Sequence, residues 1–244
     1  TVQAVAVLRE RAALGPALVI APTSVVDNWL HELARFAPEL DARGYTGADR
    51  ARVLVEVGGG TVIVASYELL LRDGARFEGK RFATQVIDEA QVIKNARTLR
   101  ARAVAGVEAD FRIALSGTPV ENRLADLWSL FELLSKGLLG SWPRFRARFA
   151  VPIERYENEE RAEALRNLVA PFLLRRTKDD VLAELPQRTE VVHMVEFSPA
   201  EEELYASAVR HARLALGKRD KNRAERSVKI LAELTRLRQL ACHP

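Results

Sequence analysis

The sequence is poor in the residues that build disulfide frameworks and metal clusters. It has one cysteine, Cys242, and four histidines in 244 residues. A single cysteine excludes an internal disulfide, and no Cys or His spacing typical of a zinc site occurs. This cysteine usage is typical of a reducing compartment, so we expect a cytoplasmic protein.

Long apolar runs and a strong charge of either sign are also missing. No apolar stretch approaches the ~20 residues of a membrane span, so we expect no membrane partner. Residues 1–5 lack both the charged leader of a signal peptide and an initiator methionine, which suggests a chain cut from a longer one. The net charge of +4 permits a nucleic-acid partner without requiring one.

Two adjacent carboxylates, Asp88 and Glu89, end the apolar run at residues 82–87. Such a run predicts a buried strand. In open α/β sheets, ligands bind at the carboxyl ends of the strands. A metal–phosphate site uses one carboxylate for the divalent ion and often another for the attacking water. Acids also open helices, where the amino-terminal dipole favours them, so the pair alone leaves both interpretations open.

Apolar runs alternate with helical patterns along the first half of the chain. This alternation predicts an α/β fold, with a parallel sheet and helices on both faces. We expect Ser24 to cap a helix that runs to about residue 37, and we expect turns over residues 44–52. The glycine run 58–60 precedes a strand instead of following one, which argues against a phosphate cradle. The predicted strands are residues 17–21, 61–65, 82–87 and 111–115.

Polar clusters follow each of these strands. The carboxyl ends of parallel strands meet at one edge of the sheet, so the clusters should gather there. This grouping favours a functional site over a helix cap. The clusters are Pro22-Thr23, Ser66-Tyr67, Asp88-Glu89 and Ser116-Gly117-Thr118.

The pattern changes to long helices beyond residue 122. A strand is predicted at residues 189–197, and Ser198 with Glu201 forms a capping box before two further helices. Trp29 and Trp128 lie on apolar helical stripes, which favours core packing over base stacking. The basic segment 144–148 is typical of a solvated helix face with apolar anchors.

Several of these segments resemble the motifs of Swi/Snf-type ATPases, the DNA-translocating branch of the superfamily-two helicases. The resemblance covers the whole chain. It implies a RecA-like sheet of the P-loop NTPase type with helical insertions. Residues 1–4 resemble the end of a Walker A motif, 21–29 motif Ia, 66–67 motif Ib, 88–91 with 93–95 motif II, 116–119 with Asn122 motif III, 172–178 with 185–186 the segment leaving the first helical insertion, and 237–244 the signature before the second lobe.

The resemblance also implies a division into three parts. Residues 1–133 would form the first RecA-like lobe without its Walker A loop. Residues 134–185 would form a helical insertion, and residues 186–244 the start of the second lobe with a helical protrusion.

The resemblance implies a role for each polar residue near the predicted strand ends. Asp88 would hold the Mg²⁺ of ATP through water, and Glu89 would polarise the attacking water. Gln91 would link the γ-phosphate to motif III, and Thr1 would supply a hydroxyl to the metal.

Two further groups of residues follow from the same resemblance. Ser116 and Thr118 would couple nucleotide state to lobe movement. Contacts with the backbone of double-stranded DNA would position the duplex without reading its sequence. The implied DNA-binding residues are Pro22, Thr23, Ser66, Tyr67 and Asn122.

The 244 residues lack the Walker A lysine and the arginine fingers of the second lobe. The resemblance therefore implies an ATP hydrolase in the parent protein and an inactive isolated fragment. Two alternatives stay open: a motor of the same family that remodels RNA polymerase or another DNA-bound complex, and a non-catalytic nucleic-acid-binding scaffold. An intact Glu89 argues against the scaffold.

Overall fold

The chain divides into two units, Thr1–Arg175 and Arg176–Pro244. The computed structural model describes residues 1–117, 123–176, 191, 193–194, 196–217 and 223–242, without the side chains of 215–217 and 223–227. Thr118 and Asn122, two predicted site residues, lie outside the described residues.

A five-stranded parallel sheet lies at the centre of the first unit. Its order is β2-β3-β1-β4-β5, so β2 and β5 are its edges among the described residues. All residues of β1 and β3 are buried, as expected for parallel strands covered on both faces. The strands are β1 Ala17–Ala21, β2 Asp41–Tyr45, β3 Thr61–Ser66, β4 Arg81–Ile87 and β5 Glu108–Ala114.

Helices cover both faces of this sheet. Val19 on β1 faces a cluster formed with α1 and α2, whereas Leu18 and Ile20 face a cluster formed with α3 and α4. The predicted parallel α/β architecture is therefore confirmed. The helices are α1 Val2–Glu10, α2 Val26–Phe36, α3 Tyr67–Arg72, α4 Leu99–Ala105, α5 Leu124–Leu134, α6 Trp142–Phe145, α7 Val151–Tyr156 and α8 Glu159–Val169 in the first unit, and α9 Pro199–Gly217 and α10 Arg223–Cys242 in the second.

Strand β2 occupies part of a segment for which the sequence predicts turns. Residues 41–45 pair in parallel with β3, and a 3₁₀ turn follows at Arg50–Leu54. Only Tyr45 of β2 is buried. An edge strand has one neighbour and little apolar surface to cover, so it lacks the apolar run that marks a central strand.

The predicted cap of α2 is wrong. Ser24 does not cap α2, because it lies in a 3₁₀ turn and the helix begins at Val26. The predicted strand at 189–197 is not formed by the residues of that range that the structure describes. In contrast, the capping box is confirmed: the Ser198 N–H donates to Glu201 Oε2 at 2.7 Å, and the Glu201 N–H donates to Ser198 Oγ at 3.4 Å.

Helices α5 to α8 pack around a separate apolar cluster that includes Leu127, Phe145 and Phe149. A π-helical turn, Arg146–Ala150, joins α6 to α7. Trp128 packs against this cluster and donates its indole N–H to the Gly140 carbonyl at 2.9 Å, which agrees with the predicted core role. Among the described residues, no helix combines the length and the apolar character needed to cross a bilayer.

A buried polar network ties the turn after β2 to α3. The Arg50 guanidinium donates to both carboxylate oxygens of Asp73, at 2.5 and 3.2 Å. The Tyr45 hydroxyl donates to Asp73 Oδ2 at 3.0 Å. The hydrogen bond from Arg50 lowers the pKa of Asp73, and the bond from Tyr45 lowers it further. The network therefore depends on an ionised carboxylate.

We expect Asp73→Asn to lower the free energy of unfolding at neutral pH by about 1–3 kcal/mol, because one acceptor oxygen becomes an amide N–H that faces the donors of Tyr45 or Arg50. The folded-state pKa is lowered, so the stabilisation is full above the ordinary Asp pKa of about 4. It is lost as pH falls through the lowered value. Urea midpoints of wild type and Asp73→Asn should thus converge in acid. Asp110→Asn, which removes an exposed partner of Arg81, should change little at any pH; a constant gap for Asp73→Asn would contradict the prediction.

Candidate functional site

The candidate site lies at the carboxyl edge of the parallel sheet. Asp88 and Glu89 follow β4 directly. Ile87 is in register with Ile20 of β1 and with Ala114 of β5. The ends of these strands therefore meet at one edge, as the sequence predicts, and the loops that follow them surround the two acids.

The Asp88 side chain is hydrogen-bonded at both carboxylate oxygens. Oδ2 accepts the indole N–H of Trp29 at 2.8 Å, and Oδ1 accepts the N–H of Glu89 at 3.0 Å. The Asp88 main chain is held as well, since its N–H donates to the Ile20 carbonyl at 2.8 Å and its carbonyl accepts the Tyr67 hydroxyl at 2.5 Å. A carboxylate has about four lone-pair positions, so each oxygen keeps one for a ligand.

Glu89 has a left-handed backbone conformation, with φ 50° and ψ 50°. This conformation costs a non-glycine residue roughly 1–2 kcal/mol. Two main-chain hydrogen bonds hold the turn, from Ala90 N–H to the Leu115 carbonyl at 2.9 Å and from Leu115 N–H to the Ile87 carbonyl at 2.8 Å. The Glu89 side chain is exposed at the sheet edge. Strain of this kind is concentrated at functional positions.

A chain of hydrogen bonds joins Glu89 to the loop after β5. The Gln91 side-chain amide donates to the Glu89 carboxylate, and the Ser116 hydroxyl donates to Gln91 Oε1 at 2.8 Å. Three of the predicted site residues are therefore in direct contact. Gln91 therefore links the Ser116 hydroxyl to the Glu89 carboxylate by two hydrogen bonds.

The acids suit a hard divalent cation that binds together with phosphate. Mg²⁺ prefers oxygen ligands and is usually held by one or two carboxylates plus waters and substrate phosphates. In the described part of the chain, no group of three or more His, Cys, Asp or Glu side chains could hold a metal. Asp88 and Glu89 thus fit a shared metal–phosphate site better than an all-protein metal cage.

Thr1 is not part of this hydrogen-bonded group among the described residues. It is exposed and precedes α1, where its carbonyl accepts the Val5 N–H at 3.0 Å. No hydrogen bond joins Thr1 to Asp88 among the residues that the structure describes. Its role as a metal ligand remains a prediction.

The residues predicted to contact DNA differ in their exposure. Thr23 is exposed, and its hydroxyl donates to Glu68 Oε2 at 3.0 Å, while Glu68 Oε1 lies 3.1 Å from Arg100. Pro22 is half-buried. Ser66 is buried and caps α3 by accepting the Leu69 N–H at 3.2 Å. Of these, Thr23 is the side chain best placed to reach a ligand outside the fold.

Tyr67 faces inward, toward Asp88. It is 2% exposed, and burial raises the pKa of its hydroxyl far above the ordinary value, as do the nearby charges of Asp88 and Glu89. The phenol therefore stays protonated and serves as a donor. A side chain in this position points away from a ligand outside the fold, and the DNA contact of Tyr67 stays a prediction.

Trp29 is a site residue that the sequence pattern does not reveal. Its ring is fully buried in the cluster between α2 and the sheet, as predicted for a core residue. Only the fold shows that its indole N–H lies against Asp88. Core and site roles coincide because α2 begins next to the carboxyl end of β1.

Residues 1–244 match the model of a known protein family, described as the SNF2-related domain. The chain belongs to this family. This chain is 36% identical to the Sulfolobus solfataricus SWI2/SNF2 ATPase core solved in complex with double-stranded DNA. The TM-score is 0.67, and the match covers 99% of this chain and 51% of the Sulfolobus chain.

This chain has curated relatives that are much longer proteins. It is 39% identical to YwqA of Bacillus subtilis, named as an ATP-dependent helicase/translocase, over 94% of this chain and 25% of YwqA. It is 31% identical to the chromatin-remodeling ATPase INO80 of Arabidopsis thaliana, over 100% of this chain and 18% of INO80. The chain thus spans a quarter or less of these relatives.

Proposed function

We propose that this SNF2-related domain is the ATP-hydrolysing motor lobe of a protein that moves along double-stranded DNA. The hydrogen-bonded chain from Glu89 through Gln91 to Ser116, beside Asp88, carries the proposal. Two carboxylates and these hydrogen bonds lie at the edge where α/β sheets bind phosphates. The relatives of this chain are named as ATP-dependent enzymes, which agrees with ATP as the nucleotide.

The residues of this edge have distinct proposed tasks. Asp88 would hold Mg²⁺, and Thr1 would supply a further hydroxyl. When bound, Mg²⁺ neutralises charge on the phosphates. Glu89 orients the attacking water and accepts its proton, and Gln91 passes the state of Glu89 to Ser116. Thr118 follows Ser116 by two positions in the sequence, and it is proposed to assist Ser116.

DNA contacts are proposed at the loops after β1, β3 and β5. Thr23 is exposed there, and the mild positive charge is compatible with a phosphate backbone. The Sulfolobus neighbour was solved with double-stranded DNA. The proposed cargo is a protein complex bound to DNA. The proposed location is the cytoplasm, at the nucleoid if the protein is bacterial. The remaining proposed contacts are Pro22, Ser66, Tyr67 and Asn122.

We expect ATP hydrolysis by the full-length protein to rise on addition of double-stranded DNA and to rise less with single strands. Contacts with phosphates are weakened by salt, so the DNA concentration needed for stimulation should increase with ionic strength. Phosphate release measured against both DNA forms across salt checks this. Equal stimulation by single strands would contradict movement on duplex DNA. Binding of nucleic acid without any ATP hydrolysis would favour the scaffold.

The 244 residues by themselves are proposed to be inactive. A phosphate-binding lysine of the Walker A type and arginine fingers are not among them, and a finger alone is worth ~10³–10⁵ in rate. DNA-stimulated phosphate release from the isolated chain that disappears in Glu89→Gln would contradict this proposal.

The scaffold interpretation is disfavoured by the contacts of Glu89. A protein that only binds nucleic acid does not need an exposed acid held by Gln91 next to Asp88 at the end of a strand. A motor that remodels a DNA-bound complex would use the same site and differ in its cargo.

A further inference from the structure

Asp88 is held from both faces of the sheet by two buried aromatic donors. Trp29 belongs to the apolar cluster with α1 and α2, and Tyr67 to the cluster on the opposite face. Trp29 is 0% exposed and Tyr67 is 2% exposed. Their hydrogen bonds to Asp88 measure 2.8 Å to the carboxylate and 2.5 Å to the main-chain carbonyl. The apolar parts of both rings fill the core, and packing alone does not require the indole N–H or the hydroxyl.

These two donors restrict Asp88 in different ways. A carboxylate turns easily about its last side-chain bond, because that torsion has broad minima. The Trp29 indole fixes one oxygen, and the Glu89 N–H fixes the other. Tyr67 holds the peptide unit that joins Asp88 to Glu89. Together they leave the carboxylate one orientation and keep the following residue in its left-handed turn.

The donors also connect Asp88 to the elements that carry the proposed DNA contacts. Trp29 lies on α2, which follows β1 and the exposed Thr23. Tyr67 is the first residue of α3 and follows Ser66 at the end of β3. Displacement of either helix would move a hydrogen-bond donor of Asp88.

We propose that Trp29 and Tyr67 are positioning residues that orient Asp88 for the divalent metal of the bound nucleotide. This inference rests on the proposed ATPase function. Hydrogen bonds to a metal-binding side chain typically contribute 10–100-fold to metal affinity or activity. Trp29 acts on the carboxylate itself, so its loss has the larger effect. Tyr67 acts through the main chain and has a smaller one.

The chain offers a matched control for each change. Trp29→Phe removes an indole N–H from Asp88, and Trp128→Phe removes one that donates to the Gly140 carbonyl at 2.9 Å. Tyr67→Phe removes a hydroxyl from Asp88, and Tyr45→Phe removes one that donates to Asp73. Within each pair the same atoms are lost, and only one member of the pair touches Asp88.

The test measures binding of a fluorescent ATP analogue to the full-length protein as Mg²⁺ is titrated, with thermal melting of each variant. We expect Trp29→Phe to raise the Mg²⁺ concentration at half-saturation by about 10-fold or more. Tyr67→Phe should raise it by a few-fold, and both controls should match wild type. Binding of the analogue in EDTA should be the same for all five proteins. Mn²⁺ in place of Mg²⁺ gives a second readout, since its electron paramagnetic resonance spectrum reports ordering at the bound metal.

Equal Mg²⁺ dependence in Trp29→Phe and Trp128→Phe would overturn the role of Trp29, whatever their melting temperatures. Equal dependence in Tyr67→Phe and Tyr45→Phe would overturn that of Tyr67. Should Trp29→Phe fail to fold, Tyr67→Phe carries the test, because it removes a single oxygen. A wild-type protein that shows no Mg²⁺-dependent binding would instead overturn the proposed ATPase function, and this inference with it.

Discussion

Glu89→Gln is expected to lower the kcat of DNA-stimulated ATP hydrolysis by the full-length protein about 10²–10⁴-fold. Glutamine has the shape of glutamate and keeps an oxygen that accepts the Gln91 amide, so the hydrogen-bonded chain to Ser116 survives. The amide cannot accept a proton from the attacking water. Binding of ATP and of DNA should stay within a few-fold of wild type. Single-turnover phosphate release, with separate binding titrations, measures each quantity.

Glu157→Gln is a matched control for this change. Glu157 is another exposed glutamate with a left-handed backbone, at φ 50° and ψ 38°, and it follows the last residue of α7. Its replacement should leave hydrolysis unchanged. Retention of more than about a tenth of wild-type kcat by Glu89→Gln would contradict the proposed role of Glu89.

Asp88→Asn is expected to weaken Mg²⁺-dependent nucleotide binding by at least about 100-fold, the upper range for losing a residue that merely supports a metal ligand. The change has a structural cost that Glu89→Gln lacks. Asp88 accepts one hydrogen bond on each oxygen, from Trp29 and from the Glu89 N–H. In asparagine one of these donors meets an amide N–H, so the variant should also lose about 1–3 kcal/mol of unfolding free energy.

Mg²⁺ titrations of nucleotide binding and urea unfolding check both effects. Asp27→Asn, which changes an exposed acid on the helix that carries Trp29, should alter neither. Unchanged Mg²⁺ dependence in Asp88→Asn would contradict the assignment of Asp88 as the metal-binding carboxylate.

The central part of the fold can be predicted from the sequence because burial leaves a strong pattern. Strands β1 and β3 are buried at every residue, so each is a continuous apolar run. β2 buries only Tyr45, and its pairing with β3 depends on main-chain bonds that any sequence can make. The predicted cap of α2 is wrong because Ser24 lies within a 3₁₀ turn that precedes the helix. The sequence pattern does not distinguish this turn from the first turn of the helix.

The candidate site is predictable in its residues and not in its bonds. Asp88 and Glu89 stand out because two acids end an apolar run. The left-handed turn at Glu89 leaves no trace in the sequence, because the residue is not glycine. Trp29 has the pattern of a core residue and is one, so nothing in its spacing indicates the hydrogen bond to Asp88. Contacts between elements distant in sequence require the fold itself.

The two edges of the sheet lie at different distances from the candidate site. On the β2 side, β3 and β1 lie between the edge and β4, the strand that Asp88 follows directly. The β5 edge is next to β4. One row of main-chain groups of β5 lacks a strand partner among the described residues, and such a row is a template for another strand. A strand added in parallel at this edge would therefore end nearer to Asp88 and Glu89 than one added at β2.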